Sequence, residues 1–510
     1  MTQPLSAFQH LPASLFTAAA VRELDQRALT DEQIPAFELM SRAGQAAFGC
    51  LLQRWPTAQF LTVLAGPGNN GGDAYVVAAL AAIHGLDVNF YTLGDHGQLS
   101  EASTRAREMA LAAGVEVKPW AGVLERDSDL LVDGLLGTGL NKAPAGELAE
   151  LIEQINSHPA PVLALDIPTG LHADTGCALE PAVRADLTVT FVAMKQGLLT
   201  ADGPDYCGDI AYACLDIRPA VLKSMAADVE RIGYQVLAER HEGLAARRGN
   251  VHKGRYGHVL VVGGDEGMGG AAAMACEAAA RSGSGLVSCA TRGSHAQAIL
   301  MRRPEVMVKP VVSGLELLPL LERASVLAVG PGLGQGSWGE LLLQQVLQSD
   351  LPVVLDADAL NLLASPGWRQ AFGERQVIMT PHPGEAARLL DVDIRTVQND
   401  RFAAARDLAS RYSAVVVLKG CGSLIAHPDG RVALCSDGNA GMASGGMGDV
   451  LTGVLAALLA QGMDAWQAAR WGVCLHSAAA DRAAHENGLC GLLATDLMPW
   501  LRRLNNYITH

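Results

Sequence analysis

Aromatic residues are scarce in this chain, at 5% of its length, which removes the stacked-ring platforms on which single-stranded nucleic acids lie. Positive charge is short as well: 38 Lys and Arg stand against 53 Asp and Glu, a net charge of −15, and a phosphate backbone would be repelled. The basic cluster Arg247, Arg248, Lys253 and Arg255 is too small to reverse that field. The ten cysteines include no C-x-x-C pair, which argues against zinc-site spacing and, in 510 residues, against a disulfide framework. No apolar run reaches the ~18 residues of a membrane span. Residues 1–16 carry no Lys or Arg before a weak apolar patch, so no secretory leader is expected. These shortages point to a cytoplasmic protein with reduced thiols that handles small molecules, without membrane or nucleic acid partners.

What the chain has in quantity is glycine, 55 residues, within a composition that is 49% hydrophobic and 18% charged. That describes globular domains with tight turns and close helix–sheet packing. The length calls for two to four domains, and the apolar content for a homo-oligomer.

In the first half, helical spacing of apolar positions predicts helices over 18–30 and 35–53. A short apolar strand over 60–65 then runs into Gly66-Pro-Gly-Asn-Asn-Gly-Gly-Asp73, with a helix expected from 74 to about 84. Strand, glycine loop and helix in that order cradle phosphates in doubly wound sheets. The loop lacks both the dinucleotide fingerprint and the Walker lysine, and its two Asn and one Asp suit a sugar or a hard cation equally. Strands over 88–92, 130–132, 162–165 and 187–191 alternate with helices over 100–113 and 147–156, which means a parallel sheet covered on both faces. Polar residues crowd the carboxyl ends of these strands: Asp133, the run Gly137-Thr-Gly-Leu-Asn-Lys-Ala143, Asp166 and Lys195. The expectation is one pocket.

Signals thin after 216, and the domain boundary is placed at 227/228. The second half alternates again, with strands over 259–262, 286–290, 326–329, 352–356, 377–380 and 415–418 and a small-residue helix over 270–282. Just past those strands stand Gly330-Pro-Gly-Leu-Gly334, Asp356, His382, Glu385 and Lys419-Gly-Cys-Gly-Ser423. Lys419 among glycines suits a diphosphate. Asp356 and Glu385 read equally as water-mediated magnesium ligands or as helix caps. His382 reads equally as a substrate donor or a turn histidine, and His476, on an apolar helical stretch, as structural. The chain then reaches Asn439-Ala-Gly-Met-Ala-Ser-Gly-Gly-Met-Gly-Asp449 and an apolar helix over 450–459. Three nearly bare glycines and a helix N-terminus favour a phosphate there, and Asp449 at the helix mouth is placed to take a proton from a hydroxyl.

Gly68-Asn-Asn-Gly-Gly-Asp73, Asp133-Gly-Leu-Leu-Gly-Thr-Gly139 and Asp166-Ile-Pro-Thr-Gly-Leu171 resemble the YjeF N-terminal domain, the NAD(P)HX epimerase family, over about 10–215. That resemblance implies substrate contacts at Asn69, Asn70, Gly71, Gly72 and Asp73, at Gly137, Thr138, Gly139, Leu140, Asn141, Lys142 and Ala143, and at Asp166. It also implies a potassium ion on Asn70, Asp133 and Thr169, the last more often Ser in the family. Asp166 and, behind it, Lys195 are the candidates for acid–base work, although a lysine there could simply bind phosphate.

The motifs at 330–334, 380–385, 418–420 and 445–449 resemble the ribokinase-like, ADP-dependent NAD(P)H-hydrate dehydratase domain over about 235–505. The implied hydrate contacts are Ala272, Gly332, His382 and Asp449. The implied nucleotide contacts are Lys419, Gly420, Cys421, Gly422, Ser423 and Gly448, with no use visible for the Cys421 thiol. The whole therefore resembles the bifunctional hydrate repair family, with two doubly wound αβα domains: 1–227, Rossmann-like, and 228–510, ribokinase-like. Its substrates would be NADHX, NADPHX and ADP, the last with magnesium. The alternative is a ribokinase-like small-molecule kinase, of the hydroxymethyl-pyrimidine, thiazole or pyridoxal type, carrying a non-catalytic nucleotide-binding module.

Overall fold

The computed structural model describes residues 11–506 other than 246 and 248. Arg248 of the basic cluster and the stretch 1–10 ahead of the first strand lie outside the described residues. The chain divides into two compact units, 1–230 and 231–510, where the sequence reading places its boundary at 227/228. The division falls inside a strand, Val229–Ile232, in a segment the sequence reads only as helical over 220–227; the helix there is the single turn Pro219–Leu222.

The first unit is built on a seven-stranded sheet, parallel throughout. Its order is Val117–Pro119, Asp87–Thr92, Phe60–Ala65, Leu130–Gly134, Val162–Leu165, Leu187–Phe191, Asp209–Ala213. The chain starts at the centre, winds out to one edge, and returns beside its own first strand. The switch point therefore lies between Phe60–Ala65 and Leu130–Gly134, whose register pairs Ala65 with Gly134. Alternation along Phe60–Ala65 sends Leu61, Val63 and Ala65 into the core under helices Ala36–Arg54 and Asn69–Ile83, and Leu64 into the core under Glu147–Ser157. Three layers result because both faces of a parallel sheet are apolar and need covering. The outer strands Val117–Pro119 and Asp209–Ala213, with patterns half exposed, have no apolar run by which the sequence could announce them.

The second unit repeats the scheme with Met307–Pro310, Leu286–Thr291, His258–Val262, Val326–Val329, Val353–Leu355, Val377–Met379 and Val415–Leu418 in parallel order. An antiparallel hairpin, Ser423–Ala426 with Val432–Cys435, extends this edge. Here the switch point lies between His258–Val262 and Val326–Val329. One face is covered by helices Gly269–Arg281, Met447–Ala460, Ala465–Asn487 and Leu497–Leu504. Met447–Ala460 is buried along almost its whole length, including Val450, Val454, Leu455 and Leu458. A helix apolar all round belongs inside a core, and each such side chain contributes about 1.5–3 kcal/mol on burial. The helix that bears Asp449 is thus a rigid mount.

Two expected loops are helix. Asn69 to Asp73 form the first turn of Asn69–Ile83, and Gly448 and Asp449 lie inside the first turn of Met447–Ala460, with Gly446 as its N-cap at φ 92°. The sequence reading delays both starts because glycine counts against helix, whereas at a first turn packing overrides propensity. Gly71 shows the packing directly: a Cβ there would stand 1.8 Å from the Gly66 carbonyl oxygen. Gly71→Ala is accordingly expected to destabilise the first unit by 1–3 kcal/mol, about the cost of overpacking, read as a lower midpoint in urea.

Candidate active sites

In the first unit a cavity of about 770 Å³ opens beyond the carboxyl ends of the central strands. Its lining includes Asn69, Asn70, Asp73, Gly137, Thr138, Gly139, Leu140, Asn141, Lys142, Asp166 and Lys195. The fold therefore gathers residues spread over more than a hundred positions into one place, at the switch point where ligands of such sheets sit. Gly71 and Gly72 are buried in the helix turn beneath, and exposed Ala143 is not part of the lining. Helix Ala18–Asp31 also reaches the cavity, through Val21, Asp25 and Leu29. The sequence reading misses Asp25; the available signal was an acid at helical spacing from buried Val21 and Ala28.

Asp166 and Lys195 form a direct ion pair at the cavity wall. Lys195 is 1% exposed, and its ammonium also donates to the Thr190 hydroxyl at 3.0 Å and the Phe191 carbonyl at 2.9 Å. Lys195 thus has acceptors for all three of its protons inside the protein. Asp166 accepts further from the Phe191 N–H at 3.2 Å and holds a left-handed φ of 66°, a conformation that costs a residue with a Cβ on the order of 1 kcal/mol. Asp73 is pushed well above the usual carboxylate range by burial, then by the charges of Asp166 and Asp25, with Lys195 opposing.

Beside the cavity, Asp133 is wholly buried and accepts from the Thr169 N–H at 2.8 Å, the Thr169 hydroxyl at 2.7 Å and the Leu135 N–H at 3.1 Å. Burial raises its carboxyl to about 6 against those hydrogen bonds. The Asn70 amide donates to the Leu136 carbonyl at 3.1 Å, while its oxygen is buried with no hydrogen-bond partner among the described residues. Asn70, Asp133 and Thr169 are therefore linked through the 135–136 backbone, with one oxygen unsatisfied.

The second unit concentrates its charges on Asp356, the N-cap position of helix Ala357–Ala364. Asp356 accepts from Lys419 at 2.7 Å and from the hydroxyls of Thr380 and Thr452 at 2.8 and 2.9 Å. Burial pushes its carboxyl up, but Lys419 and these hydrogen bonds together hold it below the usual range. Lys419 also lies 3.9 Å from Glu385 and would be 3.3 Å from a Cβ at Gly448. The Lys419 loop and the Gly448 turn thus adjoin, and exposed Cys421 is part of that loop. His382 caps helix Pro383–Leu390: its Nδ1 accepts from the Gly384 N–H at 3.0 Å, and its Nε2 is 3.3 Å from Glu385. Burial, then Lys419, lower its basicity, so the ring is neutral near pH 7. Gly332 takes φ 58°, and a Cβ there would meet Met268 at 2.7 Å, just before the helix that carries buried Ala272. Thr380, just past strand Val377–Met379, stands in the 380–385 motif, but its clamp on Asp356 and that of Thr452, inside helix Met447–Ala460, join residues far apart in the chain and carry no local signal. His476 is buried, its ring lowered to about 4 by burial despite a backbone hydrogen bond to Met447.

Asp449 is raised to about 7, by burial first and then by Asp356, with Lys419 opposing and Asp358 adding. A carboxyl at the first turn of a rigid helix, raised to about 7 beside a lysine and a glycine turn, can give and take a proton near neutral pH.

Comparison with known proteins agrees with this division of labour. Residues 36–197 match the family described as YjeF-related protein N-terminus, and residues 259–503 that described as NAD(P)H-hydrate dehydratase. A bifunctional NAD(P)H-hydrate repair enzyme of Coxiella burnetii is 46% identical over 96% of this chain and 99% of its own length. One from Escherichia coli is 42% identical over 97% and 95%. A ribokinase-like superfamily protein of Enterococcus faecalis of known structure, 28% identical, covers 55% of this chain and 95% of its own, with a TM-score of 0.50. Among the described residues no helix is long and apolar enough to cross a membrane. Near-full-length likeness to two-activity repair enzymes leaves the small-molecule kinase reading unfavoured, and the chain belongs to the bifunctional NAD(P)H-hydrate repair enzyme family.

Proposed function

We propose that the second unit dehydrates the (6S)-hydrate of NADH or NADPH using ADP, and that the first unit interconverts the (6R) and (6S) hydrates to supply it. The observation that carries the reading is Asp449, a half-buried carboxyl raised to about 7 at a glycine-rich helix start. In its ionised form Asp449 takes the proton of the 6-hydroxyl as that oxygen attacks the terminal phosphorus of ADP and AMP leaves. Lys419 and the N–H groups of the 446–449 turn bear the charge of the phosphoryl group in transit. Phosphate then departs from carbon 6 with the bonding electrons, and loss of the proton at carbon 5 restores the ring double bond. Asp356 keeps Lys419 in place. Asp356 and Glu385 are already engaged by Lys419 and His382, so we assign magnesium to the nucleotide phosphates rather than to a carboxylate pair of the chain.

In the first unit Asp166, held by Lys195, touches the substrate, and Asn69 to Asp73 with Gly137 to Lys142 bind it. The unsatisfied Asn70 oxygen beside Asp133 and Thr169 fits a hard monovalent cation. Potassium there would supply a fixed positive charge next to the substrate loops. Asn70→Ala is expected to abolish any potassium dependence of epimerisation, checked by titrating the rate against potassium chloride at constant ionic strength.

The test of the whole reading is to incubate the chain with ADP and a mixture of both hydrates, following the near-ultraviolet absorbance of reduced nicotinamide. Full recovery of the mixture is expected. No recovery overturns the second unit's role, and recovery that stalls when the (6S) share is consumed overturns the first unit's.

A further inference from the structure

We infer that Asp25 is a further catalytic residue of the first unit, carrying the proton exchanged at carbon 6 of the bound hydrate. The inference rests on the epimerase reading above. Asp25 lies ahead of the stretch 36–197 that matches the family description, on helix Ala18–Asp31. In that helix Val21, Leu24 and Ala28 are buried, and Asp25, four residues after Val21, points the same way into the cavity shared with Asp166 and Lys195.

A carboxyl on the inward stripe of an amphipathic helix is ordinarily an ion-pair partner or a cap. Asp25 is neither among the described residues, where it has no hydrogen bond or ion pair, although Glu23 on the same helix pairs with Arg27 at 3.0 Å. Lys195 cannot serve it, because its three donors are taken by Asp166, Thr190 and Phe191. An unpaired acid kept in a half-buried place destabilises the fold, so its retention at the wall of a ligand cavity points to chemistry.

Inversion at carbon 6 needs a group that gives a proton and recovers it in one cycle. Asp166 already carries a cation, and Asp73, half-buried near the start of its helix, is pushed well above the usual carboxylate range by burial and then by the charges of Asp166 and Asp25. Asp25 is raised to about 6, by burial first, with Lys195 opposing and Asp166 adding, so both of its forms are populated near neutral pH. Arg22 of the same helix, Asp73, Glu101 and Lys142 are the other charged side chains of the wall. Protonated Asp25 gives its proton to the 6-hydroxyl, the C6–O bond breaks, and water leaves with the bonding pair while the ring-nitrogen lone pair forms C=N. Water then adds to the opposite face, the C=N pair returns to nitrogen, and the proton shed by the new hydroxyl goes back to Asp25. Nothing is oxidised or reduced, and one water is released and one taken up.

The protonated form starts the cycle, so turnover falls as pH rises through the group's folded value, about 6. The experiment uses the full chain and purified (6R)-hydrate without ADP, with epimers separated by chromatography, for Asp25→Asn and Asp25→Glu. The Asn variant is expected to lose kcat by roughly a hundred- to ten-thousandfold with KM little changed, and its pH limb near 6 should vanish. The Glu variant should recover part of kcat with a displaced limb. An Asn variant that keeps kcat and limb, or loses only KM, overturns the role of Asp25. If Asp25→Asn does not fold, a Glu variant with an undisplaced limb overturns it equally. Unmodified protein that leaves (6R)-hydrate untouched refutes the epimerase reading itself, a distinguishable result.

Discussion

Asp449→Asn is expected to lower dehydration turnover by roughly a hundred- to ten-thousandfold while leaving ADP binding nearly intact. The amide keeps the size and the first-turn position of the side chain on the buried helix Met447–Ala460, so the site keeps its shape. What it loses is the only function assigned to the carboxylate, taking the hydroxyl proton as the oxygen meets phosphorus. The pH dependence gives the sign. The base must be ionised and its carboxyl is raised to about 7, so kcat should fall as pH drops below about 7, by about tenfold per unit well below it. In the Asn variant the residual rate should show no such limb. Stability moves the other way: a raised carboxyl value means the fold disfavours the ionised form, and that destabilisation sets in as pH rises from the ordinary value of 3.8 through 7. Removing the charge beside Asp356 should therefore raise the melting temperature of the second unit at pH 8 and barely change it at pH 4. A variant that is both inactive and less stable at pH 8 would mean that Asp449 holds the turn together rather than acting as base.

The parts of the fold that were legible in sequence are those in which function and local structure use the same residues. Asn69 to Asp73, Gly137 to Lys142 and the 445–449 run stand out because a backbone that approaches a ligand needs glycine, and the loops that do so follow apolar strands. Helix starts inside those runs are not legible, since glycine's poor helix propensity is outweighed when a first turn lies against a neighbouring carbonyl, as Gly71 does at Gly66. Pairings over long separations were invisible. By its local sequence Lys419 among glycines suits a diphosphate, and nothing local shows that it is anchored by Asp356, 63 positions away, which Thr380 and Thr452 hold in turn. Asp25 was hidden for the opposite reason: one acid in an amphipathic helix looks solvated until the tertiary fold shows which face is inward. The hairpin Ser423–Ala426 with Val432–Cys435 has strands of four residues each, too short for alternation to separate them from loop.

Asp166→Ala should unfold the first unit at a markedly lower denaturant concentration, and the reason is the partner it leaves behind. Lys195 is 1% exposed, and without Asp166 its ammonium would keep two neutral acceptors, Thr190 and Phe191, and no counter-charge. Breaking one side of a buried pair costs about 3–5 kcal/mol, mostly for the charge stranded in low dielectric. Asp166→Asn should cost less, because asparagine tolerates the left-handed φ of 66° better than alanine and its amide oxygen can still accept from Lys195. Lys195→Met leaves a carboxylate that is 17% exposed and still accepts from the Phe191 N–H, so water can share the burden and the loss should be smaller than for Asp166→Ala. The double variant Asp166→Ala with Lys195→Met removes both charges and fills the lysine's space with an apolar chain. It should regain most of the stability that the single Ala variant loses, while remaining without epimerase activity. Urea unfolding and (6R)-hydrate consumption on the same four proteins separate the two roles. Restored stability with restored turnover would show that the pair serves only the fold. Stability that stays low in the double variant would show that the cost lies in the loop geometry around Asp166 rather than in the stranded ammonium.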